Sequence, residues 1–155
     1  MPNVRMSFIL HVLGPLLIGG FIYLGWRTPS LLMFGWLDQL GGTNAVALLR
    51  EQVGPIKPFV PEWILYSVPD GAWVWSMTSC NTLVWKDCVS KESTFWILLP
   101  ILLGLGSELG QLAGFVPGTF DFLDLGVMLF ASFASYLSLR QINATTPKKQ
   151  FLVDP

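Results

Sequence analysis

Residues 94–115 read TFWILLPILLGLGSELGQLAGF, and this stretch decides the fold. It is apolar almost throughout and carries one formally charged side chain, that of Glu108. A helical run of roughly 20 apolar residues is enough to cross the hydrocarbon core of a bilayer. Because backbone polar groups inside a bilayer must pair with one another, we interpret the stretch as a membrane-spanning α-helix.

Three other stretches have the same character, so the sequence predicts a transmembrane bundle of four helices. They cover 6–26, 64–85 and 122–139. Gly14 and Pro15 predict a bend in the first. Since proline is tolerated in a first helical turn, we expect the regular part of 64–85 to begin near Pro69, with Ser67 as the candidate cap.

The composition of the 155-residue chain supports a membrane protein. Hydrophobic residues make up 52% of it and charged residues 12%, whereas soluble domains are about a quarter charged. The length predicts one transmembrane domain, 1–140, followed by a polar tail, 141–155. With a net charge of −1 and scattered basic residues, the chain shows no sign of nucleic-acid binding. Its apolar composition predicts the lipid bilayer as a partner.

The segment between the first two spans is mixed, and we expect one or two short helices lying at the membrane interface. Residues 31–37 are apolar but too short to cross. Thr43 or Asn44 could cap a helix that continues to Arg50 or Gln52. The glycine and prolines of 54–61 are expected to end regular structure.

Lysine and arginine lie unequally on the two sides of these spans, which predicts the orientation. One side carries Arg5, Lys86, Lys91, Arg140, Lys148 and Lys149, and the other carries Arg27, Arg50 and Lys57. Basic residues favour the cytoplasmic side. We therefore expect a multi-pass protein of the bacterial inner membrane with both termini in the cytoplasm.

This orientation brings the acidic residues together at the outer end of the bundle. The candidate site contains Asp70, Glu108, Gln111, Asp121 and Asp124, and no lysine or arginine falls in the same segments. An acidic side chain inside a membrane span is costly and usually functional, which singles out Glu108. Asp70 could instead cap a helix, and Asp121 and Asp124 could favour the positive end of a helix dipole.

The other polar and small residues are interpreted structurally. Gly106-x-x-x-Gly110 and the pair Ala131 and Ser135 predict helix-packing faces. His11 is expected to pack or to lie at the interface. Cys80 and Cys88 form neither a metal-ligand pattern nor a disulfide framework, and no cofactor is expected.

Three acidic motifs follow one another along the chain: Val68-Pro69-Asp70, Glu108-Leu109-Gly110-Gln111 and Phe120-Asp121-Phe122-Leu123-Asp124. Their order resembles the VanZ-like family of small bacterial membrane proteins. The resemblance implies a bacterial envelope protein related to glycopeptide resistance. The family's usual lysine, histidine, arginine and asparagine are absent, since the matching positions here are Gly71, Val74, 117–119 and Met128.

Three functions remain open at this point. The first is a non-enzymatic anchor, sensor or oligomeric subunit of an envelope complex, for example in stress response or phage defence, with copies of itself or another membrane protein as partners. It is favoured because no nucleophilic triad or phosphate loop is present. The second is a VanZ-like enzyme acting through the carboxylates on a lipid-linked substrate, although no basic residue stands ready to receive a phosphate. The third is a channel or transporter subunit that uses Glu108.

Overall fold

The computed structural model describes residues 4–29, 32–86 and 88–144, and this part of the chain is all-helical. Three helices of this part are long and apolar enough to cross a membrane, one fewer than the four predicted, and their length and composition indicate a membrane protein. Most of the predicted tail, with Lys148 and Lys149, lies outside the described residues. The helices are α1 (Val4–Trp26), α2 (Leu32–Gln39), α3 (Thr43–Val53), α4 (Glu62–Trp85), α5 (Lys91–Leu112) and α6 (Phe122–Ala144).

Helix α1 is irregular where glycine and proline predicted a bend. Its segment Ile9–Leu13 is π-helical, and the backbone N–H of Gly14 donates to the carbonyl of Ile9, five residues earlier. Pro15, which follows, has no N–H to donate and its ring crowds the preceding turn. The wider π turn accommodates that ring.

The prediction that regular helix begins near Pro69 is wrong. Helix α4 begins at Glu62, directly after Pro61, and continues through Pro69 to Trp85. Ser67 is therefore a buried helical residue and does not cap the helix. A proline in the third turn removes one backbone hydrogen bond, and packing against three other helices retains the helix in spite of this loss.

Helix α4 lies at the centre of the molecule and packs against α1, α5 and α6. It is also the least apolar of the long helices, because many of its buried side chains carry hydroxyl groups. The hydroxyl of Ser76 donates a hydrogen bond to the carbonyl of Val12 on α1, at 2.9 Å. The buried polar residues of α4 are Ser67, Ser76, Thr78, Ser79 and Thr82.

The other boundaries differ from the predicted ones by a few residues. Helix α5 begins at Lys91 because Ser90 and Ser93 form a reciprocal capping box, and it ends at Leu112. Helix α6 begins at Phe122 as expected but continues to Ala144, beyond the predicted end of the span at 139.

The segment between α1 and α4 holds two short α-helices, α2 and α3, followed by a 3₁₀ helix at Gly54–Phe59. Gly42 is the N-cap of α3, so the predicted cap at Thr43 or Asn44 is wrong. The hydroxyl of Thr43 instead donates to Asp38, at 2.6 Å. The prediction that 54–61 ends regular structure is also wrong for 54–59, where Pro55 lies in the first turn, at which a helix tolerates a missing N–H.

Arg50 attaches α3 to the end of α1. Its guanidinium donates to the carbonyl of Leu24 at 2.9 Å and to that of Arg27 at 2.6 Å. The indole N–H of Trp26 returns a bond to the carbonyl of Val53, at 3.2 Å. The last carbonyls of a helix lack intrahelical partners, and a cation there also favours the helix dipole.

The predicted packing face at Gly106 is not used within the described chain. A Cβ added at Gly106 would meet nothing within 4 Å, whereas one at Gly110 would meet Val116 of the following loop at 2.6 Å. Close helix contacts occur instead at Gly71, which faces Val127, and at Gly104, which faces Met128. Ala131 and Ser135 are buried.

Candidate functional site

The outer ends of the long helices, in the predicted orientation, enclose a cavity of about 670 Å³. The end of α1, the first half of α4, the last turns of α5 and the start of α6 contribute to its wall. This arrangement follows from helices that alternate in direction along the chain. All five candidate residues line the cavity: Asp70, Glu108, Gln111, Asp121 and Asp124.

Glu108 lies in the wall of the cavity with 4% of its surface exposed. Its Oε2 atom accepts a hydrogen bond from the backbone N–H of Asp121, at 3.2 Å. The Asp121 carboxylate in turn accepts from the backbone N–H of Leu123, at 2.8 Å, and so caps α6. Asp121 thus lies at the N-terminal end of α6, the position that the sequence analysis associated with the helix dipole.

Asp124 and Ser67 are among the buried side chains whose polar atoms have no hydrogen-bond partner in the described part of the chain, and both line the cavity. Asp124 is 8% exposed and Ser67 is 1% exposed. Neither the Oδ1 atom of Asp124 nor the hydroxyl of Ser67 has a hydrogen-bond partner among the residues that the structure describes. Buried polar atoms of this kind are uncommon, because leaving one unpaired costs about 1–3 kcal/mol.

Asp70 does not cap a helix, contrary to one interpretation above, because it lies inside α4. Its carboxylate forms an ion pair with Arg27, at 3.4 Å. The same guanidinium donates to the carbonyl of Tyr66 at 3.2 Å, and it stacks over the rings of Tyr23 and Tyr66 at 5.5 and 5.2 Å. These contacts hold Arg27 in the cavity wall.

Arg27 is the functional residue that sequence reasoning missed. The inference that the acids gather without a basic partner considered only the segments that contain them. Arg27 follows α1, at the end of the chain's first span, and the orientation already put that end on the same side as Asp70. The predicted orientation was thus the signal that could have added Arg27 to the candidate site.

Aromatic rings and one more acid complete the wall of the cavity. Tyr23, Trp63, Tyr66 and Trp73 surround the charged groups, and Glu62 lies at the start of α4. Electron-rich ring faces attract cations, most strongly when water is excluded. The cavity therefore combines carboxylates with aromatic faces, and both groups attract positive charge.

Gln111 lies against the loop between α5 and α6, and both line the cavity. The loop returns at Gly118, whose φ is +143°, a conformation that side chains other than glycine rarely adopt. A Cβ at Gly118 would come within 2.7 Å of the Gln111 side chain, so the two are in close contact. The glycine thus lets the backbone approach this amide.

The remaining candidates lie elsewhere. His11 stacks on Trp75, with ring centroids 6.2 Å apart and planes inclined by 7°, which is a packing contact between α1 and α4. Cys80 and Cys88 are free thiols. In the part of the chain that the structure describes, no group of three histidine, cysteine or acidic residues is arranged to hold a metal ion.

Comparison with protein-family models, with curated proteins and with solved structures finds no match to this chain. The site is therefore interpreted from its own geometry.

Proposed function

We propose that the protein is a VanZ-like, four-span protein of the bacterial inner membrane that binds an amine-bearing polar headgroup in the carboxylate cavity. Binding without turnover would suit a sensor or a subunit of an envelope complex, with a second copy or another membrane protein as its partner. One observation carries the proposal: Asp124 and Ser67 present buried, unpartnered polar atoms to a cavity lined by acids. A ligand that donates hydrogen bonds would pair both of these atoms, and their position in the cavity wall puts them within its reach.

The charge of the cavity supports an amine as the ligand group. Asp70, Glu108, Asp121, Asp124 and Glu62 line the cavity, against the single guanidinium of Arg27. Arg27 already pairs with Asp70, so the excess negative charge lies toward Glu108 and Asp124. An ammonium group is a compact donor that can pair with such carboxylates and contact the aromatic walls.

The proposed four-span arrangement depends on α4. The helix has 24 residues, which at about 1.5 Å per residue is long enough to cross a bilayer. Its hydroxyl groups are buried against neighbouring helices, which explains how a helix of low hydropathy could avoid contact with lipid. The kinship with VanZ-like proteins is supported by the shared acidic motifs, whose acids and glutamine all line the cavity.

The test measures binding of O-phosphoethanolamine to the full chain in detergent by calorimetry. We expect saturable binding that Asp124→Asn weakens by about tenfold to a hundredfold, because a hydrogen bond to a charged group contributes about 1.5–3 kcal/mol. Asp38→Asn is the matched control, since Asp38 is exposed and lies outside the cavity. Glycerol phosphate, which lacks the amine, should bind much more weakly. Equal binding of the two probes, equal binding by Asp124→Asn, or no binding at all would overturn the proposal.

A second candidate function is acid–base catalysis on the bound headgroup. It is favoured by the presence of two buried carboxyl groups, Glu108 and Asp124, in one cavity, and by Arg27, which supplies the basic residue that the sequence seemed to lack. A general acid or base must lie within hydrogen-bond reach of the proton that it transfers. Lipid analysis of membranes that contain the wild-type chain or Glu108→Gln tests this function. If the protein is a catalyst, the wild type alters the lipid composition and Glu108→Gln does not. If it only binds the headgroup, neither protein alters the composition.

A further inference from the structure

An apolar groove of about 350 Å³ adjoins the carboxylate cavity on the side of α1 and α2. Leu16, Gly20 and Leu24 of α1 form one wall, and Met33 and Leu37 of α2 form the other. The groove ends at Tyr23, Asp70 and Trp73, and the same three residues line the carboxylate cavity. The polar and apolar sites are therefore adjacent.

We propose that the groove holds one hydrocarbon chain of a bilayer lipid whose amine-bearing headgroup occupies the carboxylate cavity. The inference rests on the proposed function, and it adds that the ligand is an amphiphile and that it is bound along its length. An apolar groove adjacent to a charged cavity matches a molecule that has the same two parts.

The position of the groove makes the bilayer the source of this ligand. Its α1 wall belongs to a helix that is long and apolar enough to cross a membrane. Leu16 is 45% exposed and Trp73 is 39% exposed, so the groove faces outward from the helices and not into a closed core. In a membrane such a surface meets lipid chains, and a lipid can enter it sideways without leaving the bilayer.

The two ends of a zwitterionic headgroup have separate partners in the cavity. The amine has the carboxylates of Glu108 and Asp124. A phosphate has the guanidinium of Arg27, whose Nε atom is buried and has no hydrogen-bond partner in the described ranges. Arg27 pairs with Asp70, where the groove meets the cavity, which is where the phosphate lies between chain and amine in an aminophospholipid.

Gly20 offers a way to block the groove without disturbing the fold. A Cβ at this position would meet nothing within 4 Å, so a larger side chain would extend into the groove. Gly126 on α6 is equally open and lines neither cavity, which makes Gly126→Leu the matched control for Gly20→Leu. Both substitutions replace a helical glycine by a better helix former.

The experiment compares three probes on the full chain in detergent: O-phosphoethanolamine, dioctanoyl phosphatidylethanolamine and dioctanoyl phosphatidylglycerol. We expect the phosphatidylethanolamine to bind at least about tenfold more tightly than the free headgroup, because even a few buried methylenes suffice for that gain. Gly20→Leu should remove the gain and leave O-phosphoethanolamine binding unchanged, and Gly126→Leu should behave as the wild type. The phosphatidylglycerol, which has the chains but not the amine, should bind more weakly than the phosphatidylethanolamine.

The outcomes separate this inference from the proposed function. If O-phosphoethanolamine binds and depends on Asp124, but the lipid gains nothing or the gain survives Gly20→Leu, the groove does not hold a chain and only the inference is overturned. A change in the mass of the oligomer with Gly20→Leu, without a change in lipid binding, would make the groove an interface between copies and would also overturn it. Failure of O-phosphoethanolamine to bind overturns the proposed function itself.

Discussion

The carboxylate of Glu108 accepts a hydrogen bond from the backbone N–H of Asp121, with 3.2 Å between Oε2 and the amide nitrogen. This bond connects the last turns of α5 to the residue that caps α6. The loop between the two helices is thus closed by the acid that sequence reasoning singled out as functional. Glu108 has a structural role in addition to any part in ligand binding.

These two roles predict different results for two substitutions. Glu108→Gln retains an oxygen that can accept the bond, so we expect thermal stability in detergent close to that of the wild type. Glu108→Ala leaves the Asp121 amide without its partner and should lower the free energy of unfolding by about 1–3 kcal/mol. Both variants should weaken O-phosphoethanolamine binding. Equal stability of the two variants would show that the bond contributes nothing.

The bond from Ser76 to the Val12 carbonyl should stabilise the packing of α1 on α4. We expect Ser76→Ala to lower the free energy of unfolding by about 0.6 kcal/mol, and by at most about 1.7, the range for hydrogen bonds between membrane helices. Ser138→Ala is the control, because the Ser138 hydroxyl bonds to the carbonyl of Ala134 within its own helix. A larger loss in the control than in Ser76→Ala would contradict this interpretation.

Arg50 should decide whether α3 stays attached to α1. Arg50→Met removes the bonds to the carbonyls of Leu24 and Arg27 and the contact of the guanidinium with the Phe34 ring, 4.6 Å away. We expect faster proteolysis in the segment between α1 and α4. Lys57→Met, at an exposed position of the 3₁₀ helix, is the control and should be cleaved by the protease at the wild-type rate. Equal proteolysis rates for the wild type and both variants would show that the Arg50 contacts do not hold this segment against α1.

Gly71 should tolerate no larger side chain. A Cβ there would overlap the Val127 side chain on α6, so Gly71→Ala must shift either that side chain or the helix. We expect a loss of about 1–3 kcal/mol in unfolding free energy, as for other overpacked sites. Gly20→Ala, where the added methyl group meets open space, is the control and should be neutral or slightly stabilising.

The proposed topology puts the two ends of α5 on opposite sides of the membrane. Two single-cysteine variants test this: Cys80→Ser, which keeps the exposed Cys88, and the same chain with Cys88→Ser and Thr119→Cys. A membrane-impermeant maleimide should label the cysteine at 119 in intact cells and Cys88 only after permeabilisation. Labelling of both from one side would exclude four spans with cytoplasmic termini.

The sequence predicted the helical class and the gathering of the acids because both depend on simple patterns. Long apolar runs indicate helices in lipid, and alternating helix directions bring Asp70, Glu108 and Asp124 to one end. The start of α4 was not predictable in this way, because a proline inside a helix is retained only when tertiary packing compensates for the lost bond. Arg27 was missed because it follows α1, a helix without acidic residues, and comes close to the acids only in the folded structure.

The predicted packing face at Gly106 shows the same limit of reasoning from sequence alone. A glycine pair spaced by three residues is typical of helix contacts, but the spacing does not say which neighbour is present. Within the described chain, α5 packs closely at Gly104 instead, where Met128 of α6 lies opposite. The contact surface depends on the rotation of the helix, which the spacing of glycines alone does not determine.

The central position of α4 has a consequence for the way the protein is made. A helix that buries five serine and threonine residues is a poor candidate for entering lipid alone, since their polar hydroxyl groups would then face hydrocarbon. In the proposed topology it emerges from the ribosome after α1 and before α5 and α6, so α1 is the first surface that can shield it. Insertion of the second span should therefore depend on the first, and a chain that lacks residues 1–26 should leave α4 outside the membrane.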